Sequence, residues 1–148
     1  MDVGAIISIV DVASRVGLRL AHFIDDASNV CETRNRLLTN AATLRGLLEA
    51  VRSSTSMRNR QLHVKPVNEE EGAILECLTS ALCRCESTVE KLDTLLQELG
   101  GGVSEPNWLQ RAMMQLSLDY HGSGIERLEK EIEQHIAAIK LLFECLSP

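Results

Sequence analysis

The first 24 residues combine a wide apolar surface with a narrow line of polar side chains. When the residues are placed at 100° intervals around a helix, five of the polar positions fall within an arc of about 80°. These positions are Ser8, Asp11, Arg15, Arg19 and His22. A surface helix of a soluble bundle needs an apolar face of only about 100°. The pattern therefore predicts a first helix, from about Val3 to Asp25, that is either enclosed by other helices or transferred into lipid.

Apolar residues at alternating steps of three and four predict three more long helices. The predicted ranges are about Asn29–Arg52, Glu69–Leu99 and Ile125–Leu146. The third helix begins after Asn68 with three glutamates at its positive end. Its heptad seam, from Leu78 to Leu99, is the most regular in the chain. These seams suit either an intramolecular core or a coiled coil between chains, and the intervening loops favour the core.

Breaks between the helices are predicted from turn residues and from the loss of apolar periodicity. A break is expected at 25–29, and Ser53–Asn68 is expected to be a long loop. Three glycines at 100–102 stop the third helix. A short helix is expected near Trp108–Asp119, and the glycines at 122–124 indicate a break or kink before the last helix.

The length and composition predict one helical domain. The 148 residues include only three prolines, and aromatic residues make up 3%. Leu, Glu, Ala and Arg dominate, which favours helix over sheet. The predicted fold is all-α: an antiparallel four-to-five-helix bundle with a largely buried N-terminal helix, covering residues 1–148. An end just past a helix, at Leu146-Ser147-Pro148, is expected of a domain that belongs to a longer protein.

Charge is distributed unevenly along the chain. Residues 1–68 contain nine Arg and Lys against six Asp and Glu, whereas residues 69–148 contain six against fifteen. A mildly basic first half is attracted to anionic lipid, and an acidic second half is not. The scarcity of aromatic residues argues against a surface that stacks nucleic-acid bases.

The cysteines and the N-terminal segment indicate a reducing, cytoplasmic environment. Five cysteines are an odd number without the spacing of a disulfide framework. The first segment lacks the basic start of a secretory signal peptide. Its charges at Asp11, Arg15 and Arg19 disfavour a permanent transmembrane span. Insertion as an oligomer that pairs these charges stays open.

No sequence motif for catalysis or for metal binding is found. The four histidines are scattered, and Cys83 and Cys85 fall about 200° apart on a helix, so they cannot share a metal ion. The glycines at 100–102 are not followed by the Lys-Ser or Lys-Thr that completes a phosphate-binding loop. We predict that the protein is not an enzyme and that it uses no metal and no cofactor.

The order of features resembles the fungal HeLo-like N-terminal domains, which precede nucleotide-binding oligomerisation modules in fungal NOD-like receptors or other signalling parts. The resemblance covers essentially the whole chain as a pattern of helices rather than a sharp motif. It rests on the Met-Asp opening followed by small and β-branched residues, the helix ETRNRLLTNAATLRGLLEAV, the helix LTSALCRCESTVEKLDTLLQEL, and the Trp108 segment that leads into IERLEKEIEQHIAAIKLLFECL.

The resemblance implies a bundle similar to the killer domain of the mixed-lineage-kinase-like pseudokinase. Such a domain is a membrane-targeting effector of regulated cell death, heterokaryon incompatibility and innate immunity in filamentous fungi. It implies that the N-terminal helix leaves the bundle and enters the membrane on oligomerisation. The candidates for insertion are Val3, Ile6, Ile7, Ile9, Val10, Val12, Val16, Leu20, Phe23 and Ile24.

Basic residues around the second helix are candidates for contacts with anionic lipid. Arg34, Arg45 and Arg52 fall within about 20° of one another on that helix. The predicted loop adds Arg58, Arg60 and Lys65. Cations near a membrane surface are attracted to anionic headgroups.

The sequence is compatible with two functions. In the first, the chain is a pore-forming or membrane-perturbing effector, whose partners are anionic membrane lipids, further copies of itself and NOD-like receptor modules, with no nucleic acid. It moves from the cytoplasm to the plasma membrane on activation. In the second, the chain is a non-lytic oligomerisation or adaptor module that relays a receptor signal and uses the first helix only as core. A purely regulatory role is compatible with the same residues.

Overall fold

The computed structural model describes residues 2–30, 36–61, 67–99, 111–112 and 125–146. This part of the chain contains four long helices and no strand. They are α1 (Asp2–Val30), α2 (Arg36–Arg60), α3 (Glu69–Leu99) and α4 (Ile125–Leu146). The four helices pack on one another, which confirms the predicted all-α bundle.

Each helix packs mainly on two others around one core. Helix α1 contacts α2 and α3, and α4 contacts the same two helices. The largest fully buried side chains come from all four helices: Ile6, Ile9, Leu20, Leu37, Leu44, Leu48, Leu78, Leu82, Leu96, Ile132 and Ile139. The apolar seams that the sequence predicts in α2, α3 and α4 therefore supply the core within one chain.

The start of α3 is fixed by a side-chain cap. The backbone N–H of Glu71 donates to Asn68 Oδ1 at 2.8 Å, and the N–H of Gly72 donates to the Asn68 carbonyl at 2.9 Å. The Asn68 amide returns a hydrogen bond to the Glu71 carboxylate at 3.2 Å. The Asn68 side chain thereby satisfies the Glu71 amide, one of those that a helix start leaves free. The predicted bounds of α3 are confirmed, as are those of α4.

Two predicted boundaries are wrong because the helices continue past them. Helix α1 runs through 25–29 to Val30, a stretch that contains neither glycine nor proline. Helix α2 continues through the predicted loop to Arg60. Its core face is prolonged by Thr55, which is only 4% exposed, so a threonine takes the place of an apolar residue. Sequence periodicity counted only apolar side chains and ended the helix too early.

Several other predictions fall outside the described residues. The predicted start of the second helix at Asn29 overlaps the end of α1, and 31–35 are not described. Of the predicted loop, only 61, 67 and 68 are described and non-helical. The short helix near Trp108–Asp119 is described only at 111–112, which are helical. The break at 122–124 lies outside the described residues.

Truncation of a core leucine should cost far more stability than truncation of an exposed one. Leu82→Ala removes a fully buried side chain and is expected to lower the free energy of unfolding by about 2–5 kcal/mol. Leu141 is 63% exposed, so Leu141→Ala is expected to change it by no more than about 0.5 kcal/mol. Urea denaturation followed by circular dichroism measures both, and equal costs would contradict this core.

Candidate functional site

The insertion candidates of α1 lie mostly on its inner side. Five of them are buried against the other helices: Ile6, Ile9, Val12, Val16 and Leu20. Val10, Phe23 and Ile24 are half-buried. The side chain of Val3 lies outside the described residues. Most of the large apolar side chains of α1 are thus buried or half-buried in the bundle.

Two large apolar side chains of α1 are exposed on its outer side. Ile7 is 55% exposed and Leu18 is 61% exposed. The sequence predicted that the apolar perimeter of this helix is covered by other helices or by lipid, and in the described part of the chain the other helices leave these two positions uncovered. The reason is that α1 packs mainly on only two neighbours, α2 and α3, so one side of the helix faces solvent.

The polar line of α1 lies beside α3. The Arg15 guanidinium donates from Nε to Glu86 Oε2 at 2.8 Å and from Nη2 to Glu86 Oε1 at 3.1 Å. Its Nη1 also donates to Asp11 Oδ2, one helical turn earlier, at 2.7 Å. One turn further on, Arg19 Nη1 lies 3.6 Å from Glu90 Oε1. Arg15 therefore has one partner on its own helix and one on α3.

The ion pairs shift the pKa of the groups that form them. The hydrogen bond from Arg15, followed by its charge, holds the pKa of Glu86 below its ordinary value and raises that of Arg15. Because Glu86 binds protons less readily when folded, this pair stabilises the fold above the ordinary carboxyl pKa. That contribution is lost as the pH falls through the lowered value. Pairs this exposed add little stability, so apolar packing holds α1 in place.

Helix α2 places three of the predicted lipid-binding arginines next to the outer side of α1. Arg45 and Arg52 line a surface groove of about 330 Å³ together with Leu18. Arg60 lines a second groove, of about 410 Å³, together with Ile7. We call this surface, formed by Ile7, Leu18, Arg45, Arg52 and Arg60, the α1–α2 face. It combines exposed apolar side chains with cations, and the carboxylates of Glu49 and Asp11 line the same two grooves.

The other predicted lipid-binding residues are not part of this face. Arg58 is only 17% exposed and pairs with Glu71 at 2.6 Å, which ties the end of α2 to the start of α3. Arg34 and Lys65 lie outside the described residues. Within the α1–α2 face, Arg52 forms an ion pair with Glu49 of its own helix. The hydrogen bond from Arg52 lowers the pKa of Glu49.

A polar contact joins α3 to α4 on the other side of the bundle. Thr88 Oγ1 lies 2.7 Å from His135 Nε2 and donates to the Arg84 carbonyl at 3.3 Å. The tautomer of the imidazole decides which of the two groups donates in the contact between Thr88 and His135. Burial lowers the pKa of His135; the negative charge of Glu131 opposes this shift, and the positive charges of Arg84 and Lys91 add to it.

The described residues provide neither a metal-binding cluster nor a membrane-spanning helix. Among them, no three His, Cys, Asp or Glu side chains are grouped to hold a metal ion. None of the helices that they form is both long enough and apolar enough to cross a membrane. Burial raises the pKa of the Cys85 thiol to about 12, so this cysteine stays protonated.

Comparison of this chain with known proteins gives no match. No protein-family model, no curated protein and no solved structure matches this chain.

Removal of the Glu86 charge should loosen α1. In Glu86→Gln, Arg15 loses its ionic partner on α3 while Asp11 remains. We expect faster amide hydrogen exchange along α1 and unchanged exchange along α4, because opening of a segment depends on its local contacts. Glu76→Gln, at an exposed position of the same helix, is the matched control. Equal exchange in the two variants would rule out a role for this pair.

Acidification should destabilise the fold through His135. Its pKa is lowered in the folded state, so the unfolded chain binds more protons and stability falls as the pH drops through about 6.5. His135→Gln keeps a donor for Thr88 but does not titrate. Urea denaturation at several pH values between about 7 and 5 should give a shallower pH dependence for the variant. An identical dependence in both proteins would contradict this assignment.

Proposed function

We propose that this chain is a membrane-targeting helical bundle that perturbs anionic membranes after self-association, with α1 as the segment that enters lipid. The observation that carries the proposal is the α1–α2 face. It places Ile7 and Leu18 beside Arg45, Arg52 and Arg60 on one surface. Apolar side chains next to cations are the combination that binds the interface of an anionic membrane.

The proposal includes an antiparallel order of the four helices. Helices α1 and α2 run in opposite directions in this order, because Ile7 shares a groove with Arg60 and Leu18 shares one with Arg45. Along α1 and α3 the register runs in the same direction, from Arg15–Glu86 to Arg19–Glu90.

The direction of α4 follows from the rotational order of its contacts. When the residues of α3 are placed at 100° intervals around the helix axis, Thr88 lies at an angle about 80° smaller than the centre of the buried seam, and Glu86 at an angle about 80° larger. On α4, His135 likewise precedes the core residue Ile132, and Glu133, which accepts a hydrogen bond from Asn40 of α2, follows it. In both helices, the side chains that contact the other helix lie before the core residues in the same sense of rotation about the helix axis. Two neighbouring helices with this arrangement run in opposite directions. We therefore propose that α3 and α4 are antiparallel.

The dual pairing of Arg15 supports release of α1 as a unit. Asp11 is on α1 and moves with Arg15, whereas Glu86 stays on α3. The charge of Arg15 therefore keeps a counter-charge on the same helix when α1 leaves. If several copies insert together, their polar lines face one another rather than lipid, which lowers the cost of carrying these charges into the membrane.

Activation by clustering fits this arrangement. A receptor that gathers several copies raises their effective concentration at the membrane without any new contact. The cations of the α1–α2 face then hold the bundle at anionic lipid while α1 is released. In this proposal the protein resides in the cytoplasm, moves to the plasma membrane on activation, and acts in cell death downstream of NOD-like receptor modules.

Binding to vesicles tests the first step. The full chain should sediment with vesicles that contain phosphatidylserine and not with neutral phosphatidylcholine vesicles, and salt should release it. The triple variant Arg45→Gln, Arg52→Gln, Arg60→Gln should bind at least about tenfold more weakly. The matched control removes the same charge from the α3–α4 side by Arg84→Gln, Arg127→Gln and Lys130→Gln, and should bind as the wild type does.

Leakage of a trapped dye tests the second step. Anionic vesicles should leak with the wild type, and Glu86→Gln should speed leakage because it weakens one contact that holds α1 to α3 without altering the α1–α2 face. Binding without leakage at any protein concentration would replace this proposal by the non-lytic adaptor module. The absence of binding to anionic vesicles at any salt concentration would reject a membrane function altogether.

A further inference from the structure

A groove between α3 and α4 has two edges that repeat every seven residues. The groove is about 420 Å³ in volume, and its α3 edge carries Arg84 and Lys91 while its α4 edge carries Glu131 and Ala138. Seven residues are close to two turns of a helix, so the same edges continue seven positions away. On α3 the next position is Cys77, and on α4 it is Cys145.

The two cysteines fall at similar heights along α3 and α4 when these helices run antiparallel. The contact between Thr88 and His135 fixes the relative height of the two helices. Cys77 lies eleven residues before Thr88 on α3, and Cys145 lies ten residues after His135 on α4. In the antiparallel order proposed above, both steps run toward the same end of the bundle. At 1.5 Å per residue the two heights differ by only about 1.5 Å.

The surroundings of both thiols allow them to react. Cys77 and Cys145 are both free and exposed. Cys145 is one residue from the end of α4 at Leu146, where the backbone lacks part of its hydrogen bonding and shifts easily. A disulfide needs Cα atoms about 4.4–6.8 Å apart, and a small movement of this last turn toward α3 is the adjustment that costs least.

We propose that Cys77 and Cys145 form a reversible disulfide that joins the first half of α3 to the end of α4. The oxidant is a small-molecule disulfide of the glutathione type. One cysteine thiolate attacks a sulfur of that disulfide and expels one small thiolate. The second cysteine thiolate then attacks the resulting mixed disulfide, which forms the Cys77–Cys145 bond and expels the other small thiolate. Two protein thiols lose their protons and are oxidised, and one small disulfide is reduced to two thiols.

The other described cysteines provide internal controls. Cys83 is exposed on the same helix as Cys77, but it lies near Arg15 on the side of α3 that faces α1. Cys85 is buried in the core. Neither lies on the line of α3 that runs through Cys77, Arg84 and Lys91. The proposed bond rests on the antiparallel order of α3 and α4 proposed above, but it uses neither the α1–α2 face nor membrane binding.

Mass spectrometry of the oxidised full chain tests the proposal. The Cys83→Ser variant is equilibrated with glutathione and glutathione disulfide, quenched with acid, alkylated with N-ethylmaleimide and digested with trypsin. The peptide 61–84 then contains Cys77 as its only cysteine, and the peptide 141–148 contains only Cys145. These two peptides should be recovered as one disulfide-linked species from monomeric protein, with the loss of two hydrogens.

Three further samples decide the result. Oxidation in urea should lose the preference for this pair, because the folded groove supplies the proximity. Cys77→Ser and Cys145→Ser should each abolish the linked species while circular dichroism reports an unchanged helix content. Recovery of both cysteines as alkylated thiols, as separate glutathione adducts or only in intermolecular dimers of folded protein would overturn the proposal.

Discussion

The packing of α1 against α2 and α3 is the constraint on which the rest of the bundle depends. Its buried residues include Ile6, Ile9 and Leu20, all fully covered by the other helices. Helices α2 and α3 make their main contacts with α1 and α4 rather than with each other. If α1 departs, the inner faces of both therefore lose their cover at once. The free apolar surface then needs another chain or a lipid phase.

The parts of the fold that were predicted correctly are those with strong local signals. Helix α3 has a regular apolar seam and begins at a capping asparagine, Asn68. Its bounds therefore follow from residues that are close in sequence. The end of α2 was missed because it is held by tertiary contacts. Thr55 is buried against the core, and Arg58 reaches Glu71 on another helix. Periodicity of apolar residues carries neither kind of information.

The candidate site shows the same division between local and distant effects. The spacing of Arg45 and Arg52 correctly assigned them to one side of α2, and the pairing of Arg15 with Asp11 follows from their separation by four residues. That Arg15 also pairs with Glu86, 71 positions away, required knowledge of which helices are neighbours. The exposure of Leu18 had the same origin, since a sequence does not state how many helices surround a given one.

The ion pairs between α1 and α3 are degenerate under a shift of one helical turn. Arg15 and Arg19 are four residues apart, and so are Glu86 and Glu90, so sliding α1 by one turn brings Arg19 opposite Glu86. Electrostatics alone would tolerate that slipped arrangement. The same slip would move the small side chain of Ala13 into the space that Ile9 fills. The register of α1 is therefore set by the volumes of its buried side chains, and its charges act only as a fine adjustment.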